Sequence, residues 1–262
     1  MEISGRTILL TGATGGIGHA IARALHARGG KLILTGRRTD VLEPLAAEVG
    51  GTALGADLAQ RADVDKLIAE AGHADILVNN AALPASGPLT SFSVDELDRA
   101  IDVNLRSPLV LARHFAEAMG ARGAGHMVFV SSLSGMSGQG GASVYSATKF
   151  GLRGFVQGLF DDLEPNGVGV SAVFPGFIRD AGMFADADTE LPRGVGTSSP
   201  EDVAAGVIKA IERNRLEVVV APVSMRVMTA FAAAAPRVSK RFVPGAAKQV
   251  AVDLAAGQRD KR

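Results

Sequence analysis

Residues 6–11, RTILLT, form a short apolar run that passes directly into GATGGIG and then into HAIARALHARGG. The run has the unbroken apolar character of a buried parallel strand and stops at Gly12. The segment after it carries Ile21, Ala22 and Leu25 at helical spacing. Strand, glycine loop and helix in that order form the phosphate-binding start of a dinucleotide-binding unit. The glycines let backbone N–H groups close on a pyrophosphate at the positive end of the helix. A plain turn is the alternative for a glycine loop alone, and its position between strand and helix is what gives it weight. The spacing is Gly12-x3-Gly16-x-Gly18 rather than G-x-G-x-x-G. Gly12, Thr14, Gly16, Ile17 and Gly18 are the candidate contacts. His19 and His26 on the same helix read as surface residues rather than ligands.

The pattern then repeats. Residues 31–35 read as a second strand, ending in Gly36-Arg37-Arg38. An acidic residue in this region would bond the ribose hydroxyls of NAD. Arginine instead suits a 2′-phosphate, whose oxygens its fork bonds two at a time. The reading is therefore NADP, with NAD less favoured; the alternative is that the arginines are solvated charges at a helix start. A helix over 40–49 leads to a strand over 51–56, with Asp57 and Leu58 at its end. Arg61–Ala71 is helical, and Ile76–Asn79 is a strand running into Asn80-Ala81-Ala82. Ser93, with Glu96 three residues on, caps a helix starting near Val94 that carries Leu97, Ile101 and Asn104. A separate helix is expected over 108–119. Gly125–Val130 is a fifth strand, 168–174 a sixth and 217–221 a seventh, with a helix at Pro200–Arg213. This alternation predicts an α/β fold, a doubly wound parallel sheet of about seven strands with helices on both faces. Ligands bind such sheets beyond the C-terminal strand ends, where Asp57, Asn79 and Ser132 should gather with the glycine loop. Residues 177–199 form a loop too long for a simple connector; Met183, Phe184 and Leu191 give this lid-like segment apolar surface.

Residues 131–151, SSLSGMSGQGGASVYSATKFG, hold the only tyrosine of the 262-residue chain. Tyr145 stands four residues before Lys149, so on a helix the two share a face. An ammonium beside a phenol favours the phenolate and should lower its pKa from about 10. Such a tyrosine exchanges a proton with a carbonyl or alcohol near neutral pH. Ser132, at a strand end, can hydrogen-bond the same oxygen. An accidental pairing on a surface helix is the alternative for the Tyr–Lys pair alone.

The formal net charge is zero, which argues against nucleic acid as a partner. The zero hides an asymmetry, since residues 225–262 carry eight Lys/Arg against two Asp/Glu. The absence of cysteine excludes disulfides, thiolate metal sites and a cysteine nucleophile, and no metal site is expected. No signal peptide or membrane-spanning run is expected, so a cytoplasmic protein is the default.

Taken together, these motifs resemble the short-chain dehydrogenase/reductase family over roughly residues 5–221. TGATGGIG at 11–18 looks like that family's cofactor loop, and NNAA at 79–82 like its NNAG, with Ala82 in place of Gly. The resemblance implies a Rossmann-like fold and assigns catalytic positions to Asn104, Ser132, Tyr145 and Lys149. Tyr145 would be the acid/base and Ser132 would hold the substrate oxygen. Lys149 would lower the tyrosine pKa and bond the nicotinamide ribose, and Asn104 would maintain a relay water. It also implies that Asp57 lies near the adenine and that Asn80, Pro175, Gly176 and Ile178 contact the cofactor. Where the family usually places a threonine after its PG motif, this chain has Asp180, so either that anion points away or the loop runs differently. The ending is not the VDGG type of the tetrameric acyl-carrier-protein reductases; it looks more like members acting on alcohols, retinoids or steroids.

The expected function is an NADP(H)-dependent oxidoreductase interconverting a carbonyl and an alcohol, on a small-molecule ketone or alcohol, lipophilic ones included. Its rivals are a dinucleotide-sensing binding protein of the same fold and a membrane-surface scaffold. Residues 1–222 read as the dinucleotide-binding and catalytic domain, with 223–262 as a helical, basic tail. A homo-oligomer is expected. Packing of the apolar stretch 225–235 on the core or on a second subunit is favoured over contact with a membrane surface.

Overall fold

The computed structural model describes residues 1–182, 196–239 and 241. Seven apolar segments become strands because each is short, rich in Val, Ile and Leu, and punctuated by glycine or a polar turn. They are Thr7–Thr11 (β1), Lys31–Gly36 (β2), Thr52–Gly55 (β3), Ile76–Asn79 (β4), Gly125–Val130 (β5), Val168–Pro175 (β6) and Glu217–Val220 (β7). They form one parallel sheet in the order β3-β2-β1-β4-β5-β6-β7. The chain winds outward from β1 in one direction and then from β4 in the other. This is the Rossmann-like arrangement, and its order reverses between β1 and β4, where Leu9 pairs with both Ile33 and Leu77.

Both faces are covered, which is why the inner strands read as continuous apolar runs rather than alternating ones. Ile8, Leu10 and Val128 pack on one side with Ile21 and Leu25 of Gly16–His26 (α1), Leu42 of Thr39–Glu48 (α2) and Val203 and Val207 of Pro200–Arg213 (α7). Leu9, Leu77, Met127 and Phe129 face the other way. They meet Leu67 of Arg61–Ala71 (α3), Phe115 of Ser107–Arg122 (α5), and Leu152 and Val156 of Ser143–Leu163 (α6). Phe115, Phe129 and Phe174 are almost wholly buried. Truncating any of them to alanine should cost about 3–5 kcal/mol.

One helix start shows the predicted capping box, and a second shows the same chemistry without having been predicted. Ser93 Oγ accepts from Glu96 N at 3.2 Å, and Glu96 accepts from Ser93 N at 2.7 Å, closing a capping box on Val94–Ile101 (α4). Ser199 and Asp202 do the same for α7 at 3.1 and 2.8 Å, with Pro200 in its first turn.

Two expectations need correction, and a third is answered in part. Helix α4 and the helix expected over 108–119 are not separate: a π turn, Asp102–Arg106, joins α4 to α5 without a break. Pro108 is compatible with this because it lies in the first turn of α5. His19 is half-buried rather than on the surface, and burial holds its pKa below the ordinary value. The apolar stretch near 225 forms Val223–Ala234 (α8) and then the short turn Pro236–Ser239 (α9). In α8 only Met225 joins the main core, and none of the helix's residues is fully buried. No helix among the described residues is long and apolar enough to cross a membrane.

Candidate active site

The C-terminal ends of the strands open into a cavity of about 730 Å³. The glycine loop forms one end of it. Gly12 has φ +67°, a conformation glycine adopts without strain, and a Cβ there would fall 2.7 Å from Ala81 Cα. A Cβ on Gly18 would fall 2.2 Å from the Gly12 carbonyl oxygen, so the loop closes on its own backbone. Asn80 Nδ2 donates to the carbonyls of Thr11 at 3.2 Å and Gly12 at 3.1 Å. In return, Thr11 Oγ1 accepts from the backbone N–H groups of Asn80 and Ala81 at 3.0 and 3.1 Å. The exits of β1 and β4 are thus held together at the point where the sheet order reverses. The N-cap of α1 is Gly15, which offers no side chain, and the first turn holds no acidic residue. Its first-turn N–H groups have no intrahelical acceptor, and Thr14, Gly16, Ile17 and Gly18 line the cavity. That is a site for an anion.

The exit of β2 extends this end. A Cβ on Gly36 would meet Thr14 Cγ2 at 2.8 Å, so no acidic side chain fits there unless Thr14 moves. Arg37 and Arg38 are exposed on the cavity wall. Arg38 donates to the Thr14 carbonyl at 2.5 Å, while among the described residues no bond of that kind ties Arg37. Asp57 and Leu58 line the same end. The Asp57 carboxylate accepts from Ala59 N at 3.1 Å and from Arg99 at 2.9 Å. Burial pushes its pKa up, but those two bonds outweigh burial and hold it below the usual value. The glycines and the open helix end fit the phosphates of a dinucleotide, and the two arginines add positive charge to the same end of the cavity.

At the other end the chemistry is built from side chains. Lys149 is 2% exposed, and its Nζ donates to the Val130 carbonyl at 3.0 Å while lying 5.6 Å from the Tyr145 ring centre. The Ser132 hydroxyl hydrogen-bonds the Tyr145 phenol, and Ser132 Oγ also accepts from Ser134 N at 3.1 Å. Burial moves the two titrating groups in opposite directions. It pushes Tyr145 up to about 12, against the smaller opposing effect of Ser132, and Lys149 down to about 8. The tyrosine shift is opposite to the one expected from a neighbouring lysine. The protein groups around the phenol withdraw it from water, and that cost exceeds what they return to the phenolate. Pro175, Gly176 and Ile178, at the exit of β6, complete the wall.

Asn104 sits apart from the cavity wall. It lies within the π turn at 1% exposure, and its side chain both accepts from Leu83 N at 2.6 Å and donates to Leu83 O at 2.9 Å. A longer contact of 3.4 Å reaches Thr148 Oγ1, whose own hydroxyl donates to the Tyr145 carbonyl at 2.8 Å. Asn104 therefore fixes the Leu83 segment and the Tyr145 turn.

Asp180 points away. It has φ +65°, its side chain is 74% exposed, and it pairs with Arg179 at 3.4 Å. The next residue, Ala181, takes the inward position instead, and a Cβ on Gly16 would fall 2.4 Å from its Cβ. The two ends of the long loop are joined by the Ile178–Ser198 bridge and by Arg179 N donating to Ser198 O at 3.0 Å. Met183, Phe184 and Leu191 lie outside the described residues.

Sequence reading missed Arg99, Gln139, Ala142, Phe177, Met225 and Thr229. Arg99 steadies Asp57 from α4, and nothing in its surroundings in sequence marks it. The others line the cavity near Tyr145. Met225 and Thr229, four apart on α8, show a helical stripe but not which face turns inward.

Residues 6–191 match the family model described as short chain dehydrogenase. A ketoacyl reductase, HetN, of Nostoc sp. is 34% identical over 227 residues, 83% of this chain and 79% of the relative. Among solved structures, a short-chain dehydrogenase from Sphingobium yanoikuyae in complex with NADPH has a TM-score of 0.78 at 28% identity, covering 92% of this chain and 97% of that one. The bulky-bulky ketone specific alcohol dehydrogenase from Comamonas testosteroni has a TM-score of 0.75 at 26% identity, covering 92% and 96%.

Proposed function

Given that the chain belongs to the short-chain dehydrogenase family, and so is an NAD(P)-dependent oxidoreductase acting on CH–OH groups, we propose that it interconverts ketones and alcohols with NADP(H) and uses Tyr145 as the acid/base. One observation carries the reading. The Ser132 hydroxyl on the Tyr145 phenol, with Lys149 Nζ pinned behind it to Val130 O, lines the same cavity as the glycine loop.

The dinucleotide, when bound, supplies or accepts the hydride at the substrate carbon. Gly12, Thr14, Gly16, Ile17 and Gly18 hold its phosphates against the start of α1, with Asn80 fixing the loop. Asp57 and Leu58 flank the adenine end, and Pro175, Gly176 and Ile178 the nicotinamide end. Ser132 donates a hydrogen bond to the substrate oxygen. With its pKa pushed up to about 12, Tyr145 holds its proton at neutral pH and gives it to that oxygen in the reducing direction. Lys149, near 8, is still mostly protonated at pH 7, and its ammonium steadies the phenolate left behind. Asn104 acts through position, because its side chain is already committed to Leu83.

NADP rather than NAD is supported by Arg37 and Arg38 and by the Thr14 contact that keeps Gly36 bare. The NADPH carried by the similar Sphingobium protein agrees. Leu133, Pro84, Phe177 and Met225 give the substrate end apolar walls, which suits a bulky, weakly polar ketone. Residues 1–222, including the loop 177–199, form the proposed catalytic unit.

A ketone panel run with NADPH and with NADH tests the reading. At least one aryl or long-chain ketone should be reduced, with kcat/KM at least tenfold higher for NADPH. If NADPH binds tightly but no ketone or alcohol turns over, the protein is a dinucleotide sensor instead.

A further inference from the structure

Five of the nine large apolar side chains that stand exposed among the described residues fall within sixteen positions of one another, at Val223, Val227, Met228, Phe231 and Val238. On α8 the residues Val223, Val227 and Phe231 follow one another at four-residue spacing and share a face. Their exposures of 71%, 63% and 48% describe a helix whose outer side is as apolar as a core but uncovered. The opposite side carries Met225 and Thr229, which line the cavity. A contiguous exposed apolar face of this kind marks an interaction surface.

Charge decides what covers it. From Val218 to Val252 the chain has no Asp or Glu and five cations, Arg226, Arg237, Lys240, Arg241 and Lys248. Arg226, Arg237 and Arg241 are exposed, the first on α8 itself and the others within ten residues of Phe231. A two-fold self-interface on this face would bring one cationic patch against another. The chain's own residues 242–262 are also net cationic, with four Lys/Arg and two Asp/Glu, and offer no complement. An anionic lipid surface supplies both missing partners, acyl chains for the apolar face and headgroups for the arginines.

We propose that α8 is a docking face for an anionic membrane surface, with Val223, Val227 and Phe231 in the interface and Arg226, Arg237 and Arg241 on the headgroups. The helix lies in the interface plane and does not span it. Since Met225 and Thr229 form the inner side of the same helix, docking places the substrate end of the cavity against the lipid.

The test is co-sedimentation of the full chain with phosphatidylcholine vesicles, with and without 30% phosphatidylglycerol. Binding is expected to the anionic vesicles at low salt, with a large loss at 0.5 M salt. Replacing Arg237 and Arg241 with Gln should lower partitioning about 25-fold, at roughly 1 kcal/mol per cation near the surface. Val227→Ser with Phe231→Ser should lower it at least tenfold, with the thermal unfolding midpoint unchanged as the check on folding. Absence of binding to anionic vesicles at low salt overturns the proposal. So does a concentration-dependent dimer that the Val227→Ser, Phe231→Ser variant dissolves while the parent ignores lipid, since α8 is then a self-interface. Vesicle binding gained only when the chain is ended at Ser239 overturns it too, because residues beyond 239 then cover the face.

Discussion

The two ends of the cavity are built on opposite principles. At the glycine-loop end the specification is an absence of atoms: a single added methyl at Gly12, Gly18 or Gly36 would collide with Ala81, the Gly12 carbonyl or Thr14. At the Tyr145 end it is the presence of polar atoms, each held by a backbone partner, as with Lys149 on Val130 and Asn104 on Leu83. On the proposed function, the first end binds by letting a charged ligand approach the main chain, and the second works by keeping titrating groups out of water. One should therefore fail when atoms are added and the other when they are removed.

Tyr145→Phe is the largest test of that contrast. Removing the phenol oxygen should cost about 10²–10⁴-fold in kcat and leave the Kd for NADPH unchanged. An active Phe variant would break the comparison at once. Gly18→Ala should do the reverse. The clash with the Gly12 carbonyl should raise the Kd for NADPH about a hundredfold, as overpacking by one methyl against backbone implies. If cofactor affinity survives, the loop is not the rigid cradle described here.

Arg37→Ala sharpens the first end. Loss of one or two charge-assisted bonds should weaken NADPH about ten- to a hundredfold and leave NADH nearly unchanged. Equal losses for both cofactors would place the 2′-phosphate elsewhere. The smallest effect separates the ends by pH. Lys149 has its pKa lowered to about 8, so its ammonium is present below that value and lost above it. The kcat for ketone reduction should accordingly fall severalfold between pH 7 and 9, while NADPH affinity, resting on arginines, stays flat. A kcat that is level to pH 10 would show that the lysine charge is not used.

The sheet was legible because each strand is a complete local signal. Gly125–Val130 and Ile76–Asn79 are short apolar runs closed by a polar residue, and buried parallel strands need nothing more. The site-lining residues on strand exits and in the glycine loop were legible for the same reason, since topology gathers them at one edge. What escaped depends on contacts between distant segments. The half-burial of His19 is set by tertiary packing that no nearby residue announces. Nor does sequence spacing tell which side of α8 meets the cavity, so Met225 and Thr229 looked like any apolar stripe. The direction of the Tyr145 shift escaped because a neighbouring ammonium is visible in the sequence and the loss of solvent is not.

The π turn at Asp102–Arg106 has a consequence for how this chain tolerates change in length. A π turn holds one residue more than the α-helical path between the same two ends. Deleting a single residue there would let α4 and α5 merge into one regular helix, locally a relaxation. Because the two ends stay where they were, α4 and α5 would keep their faces, and only the residues within the turn would be turned, by up to about 100°. Asn104 would swing off Leu83, leaving that backbone pair unsatisfied, while Phe115 would stay in the core. The turn thus confines a one-residue change in length: Asn104 and the Leu83 segment read it, while α5 keeps its packing on the sheet.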